Sequence, residues 1–482
     1  MQTEVVGRKR EVEILQGIFN SKDPEFLAIY GRRRVGKTHL IREFFSDKGV
    51  YFEITGQKEG NMHVQLENFI RSFSMTFFNN IPLKIPSNWQ EAFSLIDAQI
   101  SAASKKFIFF IDELPWLATP KSNVMQTLDH FWNAYWSRRS NIILIVCGSA
   151  ASWMLDELIN AKGGLYNRLT KTILLKPFNL KGTQEFLESR GIHLKPIQIL
   201  DLYMVFGGIP HYLKQIAKGK SAQQIINDVC FKSDGLLYGE FDRLFHSLFN
   251  HAEVHFSIVK AIASQRNGIS REKLIEKTGI PTGGSLNKYL QELEASEIIK
   301  SYTPLDKKKK DRYFRISDEY VLFYLQWIEP IKDRGMDLGD AYWKTQLKTA
   351  KMNAWKGYSF ESICLKHSEQ IKRALGLENI HSNIGGWRYL PKKGSKNAGT
   401  QIDLIFDRED GAVTLCEIKY SDYVFKVDKE YAKDLASKIT IFEENYSTKK
   451  QVFMTLITTC GIKHSLWSED LIHSDLTLKD LF

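Results

Sequence analysis

Two rhythms of apolar and polar residues divide this 482-residue chain. Short unbroken apolar runs stopped by glycine, proline or charge predict buried strands, and apolar positions three and four apart predict helices. Residues 26–30 form the first run, bounded by Pro24 and Gly31, and Leu40, Ile41, Phe44 and Phe45 follow at helical spacing. A second run, 107–111, ends on Asp112 and Glu113; a third, 142–146, ends on Cys147, Gly148 and Ser149. Strand, glycine loop and helix in that order predict an α/β architecture around a parallel sheet.

Between Val254 and Ser317 the pattern changes to short helices and a hairpin. Ile258, Val259 and Ile262 share one helical face. A second helix starts at Ser270, a plausible N-cap, with Lys273 where a capping box would have an acid. Gly279, Ile280 and Pro281 break it, and Leu286, Leu290 and Leu293 form the face of a third helix. Residues 298–302 then pair naturally with 312–316 across PLDKKKKD. Farther on, 401–406 and 413–420 predict a second hairpin joined by Asp407, Arg408, Glu409, Asp410 and Gly411. A five-residue turn would set Phe406 against Ala412 and Asp403 against Leu415. Glu417 would then be Asp403's diagonal neighbour, about 7 Å away backbone to backbone, with Lys419 on the same face.

The loop after the first strand carries the clearest chemistry. Residues 31–38, GRRRVGKT, fit GxxxxGK[ST] at every fixed position. Gly31, Arg34 and Gly36 would curl the backbone N–H groups around phosphate oxygens, and the new helix offers its positive end. Lys37 should reach the β- and γ-phosphates, while Thr38 places its hydroxyl on Mg²⁺. Asp112 would hold that ion directly or through water, and Glu113 would orient and deprotonate the attacking water. Ser149, with Ser152 behind it, would face the γ-phosphate from the tip of the third strand. A helix N-cap role for either serine is the alternative.

Val6, Gly7 and Arg8, followed by Glu11 and Leu15, resemble the GRxxE box that opens the STAND-like AAA ATPases of archaea and bacteria, and GRRRVGKT is similar to their phosphate loop. The resemblance covers roughly residues 4–240. It implies that Gly7 and Arg8 lie near the adenine, that Gly207, Gly208, Ile209 and Pro210 belong to a helical lid, and that Arg168 is an arginine finger. Arg138 and Arg139 are alternatives for that last role, and a solvated charge is the plain reading of all three. Residues 280–299 resemble winged-helix recognition elements, which implies a third helix in a major groove and Lys307 to Lys310 on phosphates. Glu292, Glu294 and Glu297 on that helix would repel a backbone, so a winged helix packed on the ATPase or on a protein partner stays open.

Asp403 with Glu417, Ile418 and Lys419 resembles the PD-(D/E)XK nucleases over roughly residues 355–457, although Ile402 stands where proline is common. This resemblance implies that Glu361, Asp403 and Glu417 hold Mg²⁺ or Mn²⁺ and that Lys419 acts on the phosphate or its attacking hydroxide. It also implies a basic position on the following helix, for which Lys429, Lys433 and Lys438 qualify. An inactive nuclease fold kept as a DNA- or protein-binding module, and a salt-bridged hairpin, are the alternatives.

The net charge of +10 favours a polyanionic partner, with membrane headgroups, ribosomal contact and plain solubility as other readings. The five cysteines show no CxxC pair and no zinc spacing, which fits a reducing cytoplasm. No apolar run approaches the roughly 20 residues that span a bilayer, and the charged start has no secretory pattern. The expectation is therefore a cytoplasmic, membrane-free α/β protein that uses ATP and Mg²⁺, with DNA as its partner and homo-oligomers or a protein partner left open. Its parts would be a P-loop AAA-type ATPase core (1–176), a helical lid (177–246), a winged helix (247–328) and a restriction-endonuclease-like α/β domain (329–482). The competing readings are a STAND-type signalling ATPase whose C-terminal module is inactive, and a DNA-binding regulator without turnover.

Overall fold

Phe107–Asp112 is buried at all six positions and Ile142–Gly148 at all seven, so both strands must lie inside a sheet covered on two faces. The computed structural model of the chain describes residues 5–160, 164–265, 268–281, 284–305, 311–333, 342–389, 391 and 399–482. The first five strands are β1 (Glu25–Tyr30), β2 (Val50–Thr55), β3 (Phe107–Asp112), β4 (Ile142–Gly148) and β5 (Lys171–Leu174). They form one sheet of order β2-β3-β4-β1-β5, parallel throughout. Alternate residues supply its two faces. Phe26, Ala28, Phe107 and Phe109 pack with helices Met62–Phe77, Trp89–Ala102 and Val124–Ala134, whereas Leu27, Ile29, Ile108 and Phe110 pack with helices Lys9–Asn20 and Lys37–Phe45. Because every strand runs the same way, the loops after β1, β3 and β4 open on one edge.

After β5 the chain is helical from Leu180–Ser189 to Ala252–Ala263. The short strands β6 (Ile269–Ser270), β7 (Ile299–Tyr302) and β8 (Tyr313–Ile316) then pair antiparallel in the order β6-β8-β7. Helices Arg271–Thr278 and Gly284–Ala295 lie between β6 and β7. Ser270 caps the first of these by accepting from the Lys273 N–H, and Gly279 ends it at φ 67°. Lys307 to Lys310 lie outside the described residues.

The C-terminal strands are β9 (Ser382–Tyr389), β10 (Thr400–Arg408), β11 (Ala412–Lys419), β12 (Phe425–Lys426), β13 (Gln451–Thr458), β14 (Ile462–Lys463) and β15 (Ser474–Leu476). A mixed sheet has the order β15-β13-β11-β10-β9, and β12 and β14 make a separate pair. Helix Ala350–Lys366 packs on one face against β11, and helix Lys429–Asn445 on the other through Leu435, Ile441 and Phe442.

The β10–β11 register differs from the expected one: Leu404 pairs with Cys416 and Phe406 with Thr414. Arg408 stays in the strand, held by Asp410, and Gly411 at φ 85° closes a tighter loop than the five residues assumed. Continued by one residue, this register puts Asp403 across from Glu417 rather than diagonal to it. Among the described residues no helix is long and apolar enough to cross a membrane.

Candidate functional site

The phosphate-loop motif sits on the edge where β1, β3 and β4 end. A Cβ on Gly31 would come within 2.4 Å of the Leu175 carbonyl oxygen, so the loop can pass β5 this closely only as glycine. Gly36, at φ 94°, is the N-cap of helix Lys37–Phe45 and leaves the first helical N–H groups facing the loop. The buried Lys37 ammonium donates to the carbonyls of Gly31 (2.9 Å) and Arg32 (3.1 Å). Thr38 donates its hydroxyl proton to Asp112 at 2.8 Å. Burial raises the Asp112 carboxyl above its ordinary range, and the Thr38 bond pulls it back down. These hard oxygens at the head of a glycine loop suit Mg²⁺.

Glu113 follows at φ 50°, a left-handed turn that sends its carboxylate toward β4. There it accepts from the Ser149 hydroxyl at 2.7 Å and from the Ser149 N–H at 3.1 Å. Ser149 is therefore no helix cap: the helix Ala151–Met154 begins after Ala150 without a side-chain cap. Gly7 and Arg8 meet the region of Pro210 at Phe178, a residue the sequence reading did not single out. The Arg8 guanidinium lies 4.3 Å from the Phe178 ring centroid, and a Cβ on Gly7 would stand 3.0 Å from that ring. Phe178 N–H donates to Gly208 at 2.9 Å, two residues before Pro210 starts the turn Pro210–Leu213. Burial lowers Arg8 to about 10, against the pull of Glu11.

Two arginines of the loop turn away from its cradle. The Arg34 side chain pairs at 2.6 Å with the fully buried Glu240, which also accepts from the Tyr212 hydroxyl at 2.9 Å, so what Arg34 can offer a phosphate is its backbone N–H. Arg32 pairs with Asp318, and both side chains are almost inaccessible. Asp318 follows β8 and caps helix Glu319–Phe323 by accepting from the Val321 N–H at 2.8 Å. The phosphate loop is thus tied through side chains to the helical segment and to the middle of the chain. Removing one member of a buried pair typically costs about 3–5 kcal/mol, while apolar replacement of both is far milder. Asp318→Asn should therefore lower Tm clearly, and the double variant Arg32→Met/Asp318→Leu should recover most of the loss in a thermal melt.

Arg168 is exposed at the end of the turn Gly164–Arg168. Arg139 is bound to Asp97 at 2.9 Å, and with Arg138 it precedes β4, at the sheet edge opposite the phosphate loop. Neither reaches the loop of its own chain.

A second polar cluster is built on the C-terminal sheet. Ile402 pairs with Trp387 and Ile405 with Gly385, so β10 bulges at Asp403 and re-aims its side chain. Asp403 accepts from the Ile418 N–H at 3.0 Å. Glu417 Oε1 accepts from Lys438 at 2.8 Å and lies 3.0 Å from Lys419 Nζ. Its buried Oε2 has no hydrogen-bond partner among the described residues. Burial raises the carboxyls of Glu361 and Asp403; the charge of Asp403 adds to the first, and that of Glu417 to the second.

Among the described residues no three His, Cys, Asp or Glu side chains, the expected Glu361, Asp403 and Glu417 included, converge on one point. Lysines draw Glu417 to one side while the Ile418 N–H holds Asp403. The orphaned Glu417 oxygen and the like-charged neighbours still fit a divalent cation of the Mg²⁺ or Mn²⁺ kind. Of the three candidate lysines, Lys438 reaches the cluster, whereas Lys429 lies 5.6 Å from the Trp467 ring centroid.

Residues 5–216 match the family model described as an ATPase domain predominantly from Archaea. An uncharacterized protein of Methanocaldococcus jannaschii is 26% identical over 444 residues, covering 90% of this chain and 91% of the relative. An uncharacterized ATP-binding protein of the same archaeon is 44% identical over 45 residues, 9% of this chain and 76% of that protein. Among solved structures, the Walker-type ATPase of Pyrococcus abyssi is similar at 19% identity and a TM-score of 0.47, covering 67% of this chain and 96% of its own.

Proposed function

We propose, from the match of residues 5–216 to the model of an ATPase domain predominantly from Archaea, that ATP binding and hydrolysis in this chain govern a metal-dependent, nuclease-like module acting on DNA. The observation that carries the reading is the pairing of Thr38 with Asp112 and of Ser149 with Glu113 on one sheet edge. In this reading Lys37 neutralises the β- and γ-phosphates, and Thr38 and Asp112 hold Mg²⁺. Glu113, kept in place by Ser149, takes the proton of the attacking water. Gly7, Arg8 and Pro210 frame the adenine side around Phe178. Arg168, which is exposed, would meet a phosphate as the arginine finger; Arg138, also exposed, is the alternative, while Arg139 is held by Asp97.

The working parts remain the ATPase core at 1–176, the lid at 177–246, a winged helix at 247–328 and the nuclease-like domain at 329–482. In the last of these Asp403 and Glu417, with Glu361 beside them, would hold the cation, which supplies charge stabilisation to a phosphodiester. Lys419 would position the attacking hydroxide or meet the phosphate. A second reading, a STAND-type regulatory ATPase with an inactive C-terminal module, is favoured by the two lysines drawn to Glu417 and by the lack, among the described residues, of three carboxylates converging on one point.

The two readings part on one experiment. Purified protein is incubated with linear, nicked and supercoiled DNA, with and without ATP, in Mg²⁺ and in Mn²⁺. Metal-dependent cutting that changes with ATP, together with ATP turnover raised by DNA, is the expected result. ATP turnover with no cutting in either metal would leave the regulatory reading.

A further inference from the structure

Helix Ala350–Lys366 ends against the segment that carries Phe178, and the residue after it, His367, makes the contact. The His367 ring is 1% exposed. Its Nδ1 faces the Ile363 carbonyl at 2.8 Å, and a carbonyl only accepts, so the ring proton sits on Nδ1 and leaves Nε2 as an acceptor. Nε2 accepts from the Leu180 N–H at 3.1 Å. Burial lowers His367 to about 4, which keeps the ring in this neutral form. Leu180 opens helix Leu180–Ser189, where the first N–H groups have no partner within the helix. Asn179 satisfies one of them by accepting from the Gly182 N–H at 2.8 Å, and His367, 187 residues along the chain, satisfies the N–H of Leu180.

Phe178, two residues before Leu180, is held by its backbone on both sides. Its N–H donates to Gly208, and its carbonyl accepts from the Tyr203 hydroxyl at 2.9 Å. The Tyr203 ring centroid lies 5.8 Å from that of His367. A Cβ on Gly208 would collide with the Phe178 carbonyl oxygen, so only glycine lets these two segments approach this closely. Gly207, next to it, lies against Glu319: a Cβ there would stand 2.6 Å from Glu319 Oε2, and Glu319 is paired at 2.6 Å with Lys366. The consecutive residues Lys366 and His367 therefore reach both segments that fix the Phe178 backbone. Lys366 does so through Glu319 to the turn at 207–208, and His367 does so directly at the Leu180 N–H.

We propose that His367 is a positioning residue for nucleotide binding: it holds the Leu180 N–H, and through it the Phe178 backbone, in the place that receives adenine, so that the end of helix Ala350–Lys366 sets the affinity of the nucleotide site. The proposal rests on the reading of Phe178 as the adenine side. His367 itself touches no nucleotide. Coupling of this kind is reciprocal, so a bound nucleotide must in turn steady the end of that helix. The C-terminal part of the chain thereby acts on the nucleotide site without any contact to the phosphates.

His367→Phe keeps the bulk of a ring and removes the acceptor, whereas His367→Gln returns an acceptor oxygen. Both are made in the full chain, with thermal melts confirming that they fold, and Phe178→Ala is the control. Expected for His367→Phe is a Kd for a fluorescent ATP analogue about tenfold weaker than wild type, with kcat at saturating ATP retained and affinity largely recovered in His367→Gln. In wild-type protein a non-hydrolysable ATP analogue should slow backbone hydrogen exchange at residues 363–368. Wild-type affinity in folded His367→Phe, beside weak binding by Phe178→Ala, would overturn the proposal and leave the adenine reading standing. Wild-type affinity in Phe178→Ala would overturn both. Affinity as low in His367→Gln as in His367→Phe would trace the loss to packing and overturn the positioning role. Exchange at 363–368 that the analogue leaves unchanged would overturn it as well, whether or not His367→Phe folds.

Discussion

Glu113→Gln is expected to leave ATP affinity close to wild type and to slow phosphate release by about a hundredfold or more, the range for a lost general base. The glutamine keeps the shape of the carboxylate and can still accept from Ser149, whose hydroxyl lies 2.7 Å from Glu113 Oε1. What it loses is the negative charge that draws a proton from water. Thr38 and Asp112 are untouched, so their hydrogen bond and the proposed magnesium and phosphate contacts persist. Equilibrium binding of a fluorescent ATP analogue and a phosphate-release assay separate the two effects. Lys37→Ala serves as the contrast: it should weaken binding itself, because the ammonium now resting on the Gly31 and Arg32 carbonyls is the loop's charge toward the phosphates. Normal turnover in the glutamine variant would take the role of base away from Glu113.

If the C-terminal cluster is the proposed nuclease site, Asp403→Ala should abolish Mn²⁺-dependent DNA cleavage, a loss of about a hundredfold or more, while sparing basal ATP hydrolysis. Asp403 faces Glu417 in the β10–β11 register and sits on a bulge, so its removal takes one of the two carboxylates between which a cation would lie. The phosphate loop is on a separate sheet and keeps its own ligands. Lys419→Ala should cut the rate similarly but leave Mn²⁺ binding intact, which distinguishes a group acting on phosphate from a group holding the ion. Cleavage by the Asp403 variant at the wild-type rate would place the activity outside this cluster.

The phosphate loop, its acidic strand and the order of the N-terminal elements were legible in the sequence because they depend on neighbours. Glycine at fixed offsets sets a local backbone path, an apolar run of five or six residues can be satisfied only inside a sheet, and a helix that starts at Gly36 presents its N–H groups wherever the rest of the chain lies. The charged pair Glu417 and Lys419 was readable for the same reason, since alternation along a strand puts both on one face. Which lysine of the following helix joins them was not. Lys429, Lys433 and Lys438 differ only once Leu435 and Phe442 are seated on the sheet, because that seating fixes the rotation of the helix and brings Lys438 to Glu417.

Tertiary structure alone decided the partners of Arg32 and Arg34 and the register that sets Asp403 across from Glu417. Each depends on residues far apart in the chain. Asp318 reads locally as a helix cap and Glu240 as a first-turn acid, and only the packing of the helical segment and the middle of the chain against the phosphate loop makes them buried counter-ions. The register turned on one left-handed glycine, Gly411, which shortened the loop and moved the opposing pairs. A sequence specifies such contacts through the free energy of the whole packed molecule. The strand, loop and helix of the nucleotide site were already specified by a few adjacent residues and the hydrogen bonds they can make.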